Sequence, residues 1–191
     1  MVYGVTDTPK ADLQSRVNTF VHVNHTAANP RYGILLCING TGIMNSWLRR
    51  HVVQRTLDYG EMNRLAATAP AGSEGLLVIP FGNGAERVLG NRQTGARIVG
   101  LDLNRHSTAH VLRAAQEGIA CSFCYGLDIM RTLGLAPEVI RAGAANLFLS
   151  PLFRQTLATL TGARIELFNT DGALGAARGA ALGAGYYLSL I

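Results

Sequence analysis

Gly33-Ile-Leu-Leu-Cys-Ile-Asn-Gly-Thr-Gly-Ile-Met-Asn-Ser-Trp-Leu48 reads as a strand, a turn and the start of a helix in one stretch. Gly33 to Ile38 is nearly continuous in apolar side chains, the composition of a strand at the middle of a sheet. Asn39-Gly-Thr-Gly42 breaks the run, and Ile43, Met44, Trp47, Leu48 and Val52 then recur at helical spacing. A buried strand handing over to a helix through a glycine loop is the unit of an α/β fold.

Outward from that stretch the same alternation continues. Phe20 to Val23 reads as a strand, and Leu76 to Ile79 as another that Pro80 stops, after a surface loop over Thr68 to Gly75. Phe81 to Thr94 has three glycines and no period, so it is an ordered excursion or a flap. Ala96 to Leu101 is a short strand. Ser107 or Thr108 caps the longest helix, which runs to about Leu133 with Val111, Leu112, Ala115, Ile119, Phe123, Leu127 and Met130 on its core face and Gly134 just beyond its end. Glu138 to Gly143 is a strand, Pro151 to Leu160 a helix ended by Gly162, and Arg164 to Leu167 a final strand. Asp171 caps a last helix, Gly172 to Gly185, whose glycines at 172, 175, 179 and 183 offer a small-residue face that a neighbouring backbone could approach. With no repeat and no second composition regime, the expectation is one α/β unit, a mixed sheet flanked by helices.

Composition narrows the classes. At 191 residues, 48% hydrophobic and 15% charged, the chain can bury a real core, as one domain or one lobe of something larger. The 22 glycines and six prolines follow no collagen period, and no apolar run reaches the roughly 20 residues of a membrane span. Lys10 is the only lysine and has no glycine cradle, which excludes a Walker A loop. The arginines are dispersed, without the basic stripe that follows a nucleic-acid backbone. Three cysteines and an N-terminus that reaches acidic and polar residues at once give a reducing cytoplasm as the expected home. Cys121 and Cys124 have metal spacing but no second ligand pair, and read as two buried helix residues.

Two loops carry glycine where a strand meets a helix: Asn39 to Gly42, and Ala142-Gly-Ala-Ala-Asn146. Such glycines let backbone approach a ligand, and the helix start offers free N–H groups. The plainer reading is that each glycine makes a tight turn, and the residues alone do not choose between the two. Neither loop is a G-x-G-x-x-G, so a nicotinamide oxidoreductase lacks its fingerprint. Asp102, Glu117, His106 and His110 form no triad or metal set, and Glu86-Arg87 reads as a structural ion pair. The residues thus describe a ligand cleft without a catalyst.

The order of motifs adds a resemblance. Gly75-Leu-Leu-Val-Ile-Pro-Phe-Gly-Asn-Gly-Ala-Glu-Arg87 resembles the L-x-x-x-P-[YF]…G-E-R segment of the FGGY carbohydrate kinases. Ala96-Arg-Ile-Val-Gly-Leu101 with His110-Val-Leu-Arg-Ala-Ala-Gln-Glu117 resembles that family's C-terminal signature, with Gln116 where an apolar residue is usual. Arg141-Ala-Gly-Ala-Ala-Asn146, Ser150-Pro-Leu-Phe-Arg-Gln155, Thr161 to Glu166 and Gly172 to Ala177 are similar to its adenine-side loop, helix, strand and last helix. The likeness is greatest to the xylulokinases of the family. It implies a ribonuclease H-like fold of the actin and sugar-kinase superfamily and ATP-dependent phosphorylation of a sugar hydroxyl, with Mg²⁺ offsetting phosphate charge. The implied nucleotide contacts fall on Gly42 and Ser46, and on Gly143, Ala144, Asn146 and Ser150. Asn146 and Ser150 compete for one role, because Leu147 to Leu149 lengthen the family's loop.

By this resemblance the general-base aspartate and the sugar pocket belong to a lobe that precedes Met1, and residues 1–191 are the C-terminal, ATP-side domain, inactive alone. The implied partners are ATP or ADP and a sugar held by the other lobe, with no nucleic acid and no membrane. The face left by that lobe could pair two copies as a homodimer. A non-catalytic nucleotide-binding module is the rival class, and kinases of ribulose, rhamnulose, gluconate or glycerol are the rival substrates within the family.

Overall fold

The computed structural model describes residues 2–187. The central strand is β3, Tyr32–Leu36, which lies between β1, Val2–Thr6, and β2, Val17–Val21, antiparallel to both. Ile34 and Leu36 are fully buried, as the inward residues of a middle strand should be. β2 begins earlier than its valine-rich sequence suggests. Pairing of Val17 with Leu36 and Val21 with Tyr32 fixes its register and leaves Val23 in the following turn.

α1, Thr41–Trp47, follows β3 and runs on as a π-helical segment, Leu48–Val52, where the Val53 N–H reaches back to the Leu48 carbonyl at 3.0 Å. α2, Tyr59–Thr68, was not among the expected elements. It opens with a reciprocal capping box, in which the Glu61 N–H donates to Asp58 and the Asp58 N–H donates to Glu61, each at 2.7 Å.

α3, Thr108–Thr132, is 25 residues long and therefore about 37 Å from end to end. Of its expected core residues Leu112, Ala115, Ile119, Leu127 and Met130 are buried and Val111 and Phe123 half-buried, and Gly134 takes the left-handed conformation just past its end. α3 is the spine of the molecule. One cluster joins Met44, Leu48, Met62, Leu112, Ile119 and Phe153 along the helical layer, and another packs Ile34, Leu36, Ile38 and Val88 on Ile129 and Met130 near its C-terminal end.

The remaining strands form two further sheets. β4, Leu77–Ile79, pairs antiparallel with β5, Arg97–Val99, and β6, Val139–Gly143, pairs in parallel with β7, Arg164–Phe168. The expected single mixed sheet is thus three small sheets among the described residues. Pro80 removes a ladder donor beside β4 and Gly100 follows β5 in the left-handed region, so neither extends. α3 joins the sheets through side chains rather than through backbone hydrogen bonds.

α4, Pro151–Thr161, packs along α3 and ends at Gly162, also left-handed. Phe153 is fully buried between the edge-on rings of Phe123, at 6.0 Å, and Phe148, at 5.4 Å. Each such pair adds about 0.5–1.5 kcal/mol beyond burial. α5, Gly172–Gly183, is capped by Asp171 as expected, with the Leu174 N–H donating to its carboxyl at 2.8 Å. Its glycine face departs from expectation: nothing among the described residues approaches Gly172, Gly175, Gly179 or Gly183, and no residue of the helix is buried. The cysteine reading is also corrected, since Cys121 is exposed and Cys124 half-buried, its thiol facing the Leu160 carbonyl at 3.6 Å. No helix among the described residues is long and apolar enough to cross a membrane.

The β1–β2 connection holds a pH-sensitive pair. Asp12 accepts from the Arg16 backbone N–H at 2.7 Å and from its guanidinium at 3.0 Å, which holds the Asp12 carboxyl at about 2, below its ordinary 3.8. A lowered carboxyl pKa contributes stability that is fully present above the unfolded value and is lost as pH falls through the folded one. Asp12→Asn is therefore expected to melt below the parent at neutral pH, with the difference closing between about pH 4 and pH 2. Thermal melts of both proteins across that range check it, and a difference that persists at the acid end would refute the pair's role.

Candidate functional site

The first glycine loop is held from outside. Gly40 is the N-cap of α1 and supplies no side-chain cap, so the helix start depends on its surroundings. The Asn39 N–H donates to Glu86 Oε2 at 2.8 Å, Asn39 Nδ2 donates to the Ala85 carbonyl at 2.8 Å, and Asn83 Nδ2 donates to the Asn39 carbonyl at 3.2 Å. Gly40 lies against the Pro80 carbonyl so closely that a Cβ would run into it. Gly42 and Ser46 stand four apart on α1, hence on one face. Gly42 is exposed with open space around it, and Ser46 is half-buried.

The Glu86-Arg87 ion pair is overturned. Glu86 is 2% exposed and turned toward Asn39, whereas Arg87 donates to the Ser15 carbonyl at 2.7 Å. Segment 81–94 is ordered by a bridge between Glu86 and Arg92 and a short 3-10 turn, Arg87–Leu89. The other acids are also committed: Glu117 to Arg113 at 2.7 Å, and Asp102 to the Asn104 N–H and the Arg105 guanidinium, both of which lower its pKa.

The second loop stands at the carboxyl ends of the parallel pair, where open α/β sheets place ligands. Gly143 ends β6 against the Thr170 backbone, just before α5. The Ala144 N–H donates to the Phe168 carbonyl at 2.8 Å, tying the loop to the end of β7. Asn146 is exposed, takes φ +53° and opens a 3-10 turn, Asn146–Leu149. Leu147 and Phe148 pack that turn on the core, while Leu149 is exposed.

Ser150 is fully buried. Its hydroxyl donates to Gln116 Oε1 at 2.6 Å and accepts from the Phe153 N–H at 3.3 Å as the N-cap of α4, and Gln116 Nε2 donates in turn to Asn63 Oδ1 at 2.9 Å. Of the two competing residues, Asn146 faces outward and Ser150 inward.

α1 and α4 both pack on α3, so one helix carries both loops. Two open depressions of about 370 Å³ each lie elsewhere, one around Val52 to Leu57 and one around Val5 to Lys10, and neither is lined by a candidate residue. Of the candidate residues Gly42, Ala144 and Asn146 are exposed. Among the described residues no group of three or more His, Cys, Asp or Glu comes together to hold a metal. The implied Mg²⁺ therefore has no protein cage among the described residues.

The family described as "FGGY family of carbohydrate kinases, C-terminal domain" matches residues 1–188. A xylulose kinase of Haemophilus influenzae is 30% identical over 174 residues, covering 90% of this chain and 33% of the relative. Among solved structures, a ligand-bound xylulose kinase from Lactobacillus acidophilus matches with a TM-score of 0.78 at 24% identity, covering 98% of this chain and 37% of that one. Glycerol kinase of Plasmodium falciparum with ADP matches at 0.73 and 22% identity, covering 91% and 34%. The chain thus spans about a third of the length of the relatives it matches. At these identities the structural likenesses speak for the fold.

Proposed function

We propose that this chain, which belongs to the FGGY family of carbohydrate kinases, is the ATP-side lobe of a xylulokinase-type enzyme. That enzyme transfers the γ-phosphoryl group of ATP to a hydroxyl of D-xylulose, giving xylulose 5-phosphate and ADP. The observation that carries the reading is the 30% identity to a xylulose kinase across 90% of this chain. Its finer architecture we read as ribonuclease H-like, with the antiparallel β1-β3-β2 sheet and the parallel β6–β7 pair as parts of one plan.

In such a kinase, catalysis is mostly positioning and electrostatics. This lobe supplies the positioning of the nucleotide. Gly42 lets the ATP approach the backbone at the start of α1, and Ser46 lies one turn further on the same face. Gly143 and Ala144 offer backbone at the end of β6. Asn146 takes the adenine side, because the Ser150 hydroxyl is already given to Gln116. The sugar and the base that accepts its proton belong to the remaining two thirds of the enzyme.

The test is an assay of the full-length gene product with ATP and a panel of sugars and polyols. Turnover of D-xylulose is expected, and no ATP-dependent turnover with any of them would sink the kinase reading. Turnover of ribulose, gluconate or glycerol without xylulose would sink the sugar alone. In the same enzyme Asn146→Ala should raise KM for ATP about fivefold, the equivalent of one lost hydrogen bond, with KM for the sugar unchanged.

A further inference from the structure

We propose that segment 80–86 is a clasp that sets the geometry of the Asn39–Gly42 loop, with Glu86 as its positioning residue; this rests on the nucleotide reading of that loop. Four contacts converge on two residues: Glu86 and Ala85 take the two N–H groups of Asn39, Asn83 reaches its carbonyl, and the Pro80 carbonyl abuts Gly40. They act where α1 has no cap of its own. Without them the loop is held by Ile38, buried just after β3, and by the first turn of a short helix.

The choice of residue is what separates a clasp from ordinary packing. Buried carboxyl groups are seldom found without an ion pair or a full set of donors. Glu86 is 2% exposed, takes part in no ion pair among the described residues, and leaves Oε1 without a hydrogen-bond partner. As a contribution to stability alone this is a poor arrangement, since an unsatisfied buried acceptor is destabilising. What it achieves is a single strong acceptor aimed at the backbone N–H that precedes Gly40, from a segment 47 residues away in sequence.

Glu86→Ala, Glu86→Gln and Asn83→Ala in the full-length enzyme test this. Glu86→Ala is expected to raise KM for ATP about tenfold while KM for the sugar stays within about twofold, and Glu86→Gln, which keeps an acceptor oxygen, to restore KM for ATP to within about threefold of the parent. Asn83→Ala should move KM for ATP in the same direction by a few-fold. Both Michaelis constants rising together, or KM for ATP unchanged in a folded Glu86→Ala protein, overturns the proposal. Amide hydrogen exchange provides a readout that does not depend on phosphorylation. The Asn39 amide, whose N–H donates to Glu86, should exchange about tenfold faster in Glu86→Ala and within about threefold of the parent in Glu86→Gln, while the amides of α4 hold their protection. Unchanged exchange overturns the clasp, whereas faster exchange in a protein that phosphorylates nothing retains the clasp and sinks only the nucleotide reading.

Discussion

Gly40→Ala is expected to destabilise the chain by about 3 kcal/mol, whereas Gly42→Ala leaves it as stable as the parent or more so. The two glycines share a loop but differ in what a methyl group would meet. At Gly40 the backbone conformation, φ −78°, suits any residue, so conformational strain is not the obstacle. The obstacle is the Pro80 carbonyl, part of a backbone that cannot rotate away as a side chain can. Relief requires that loop and clasp separate, which also strains the hydrogen bonds of Asn39. For a domain of this size the loss corresponds to a Tm lower by about 6–12 °C.

At Gly42 a methyl group would meet nothing within 4 Å, and the residue lies in the first turn of α1. Alanine there removes backbone freedom from the unfolded chain and can gain up to about 1 kcal/mol. If ATP approaches that backbone, the same methyl group obstructs it, and KM for ATP should rise about tenfold in a protein that melts no lower than the parent. Stability and nucleotide affinity then move in opposite directions. Melting curves and ATP titrations of both variants check the pair. Gly42→Ala binding ATP as the parent does would remove Gly42 from the site, and a Gly40→Ala protein of parental stability would show that the loop yields without cost.

What could be read from the residues follows the range of each interaction. β3, α1 and α3 were legible because an apolar period is local, and the caps at Asp171 and Gly134 because each acts within one turn. α2 left a signal in Asp58 and Glu61, three apart, with Met62 and Ala66 behind them, but Gly60, Asn63 and Arg64 interrupt its apolar face. The division into three sheets could not be read, since strand pairing joins residues whose separation no period records. Glu86 and Gln116 show the same limit at the candidate site. Their partners lie 47, 34 and 53 residues away, so one appeared as half of an adjacent ion pair and the other as a departure from the family's apolar habit.

That departure carries the second large effect. Ser150→Ala is expected to cost about 2–4 kcal/mol, because it removes the N-cap of α4 and leaves Gln116 Oε1 buried without its donor. Gln116→Leu alone restores the family's usual residue type but strands the Ser150 hydroxyl, and should cost about 1–3 kcal/mol. Removing both ends at once strands neither of these two, and the half-buried Asn63 loses only its Gln116 donor. The double variant should therefore be more stable than Ser150→Ala alone, losing about 1–2 kcal/mol for the cap and the Asn63 contact, with a coupling of at least about 1 kcal/mol between the sites. Denaturant unfolding of the four proteins measures this directly, and additive losses would show that the contact at 2.6 Å carries no energy of its own. The cycle also decides between the two residues that compete for adenine. A hydroxyl committed to Gln116 has no proton left to donate to a ligand, so once the double variant has recovered its fold it should bind ATP as the parent does, while Asn146→Ala should not. Weak ATP binding by a well-folded double variant would return Ser150 to the nucleotide site and place Asn146 outside it.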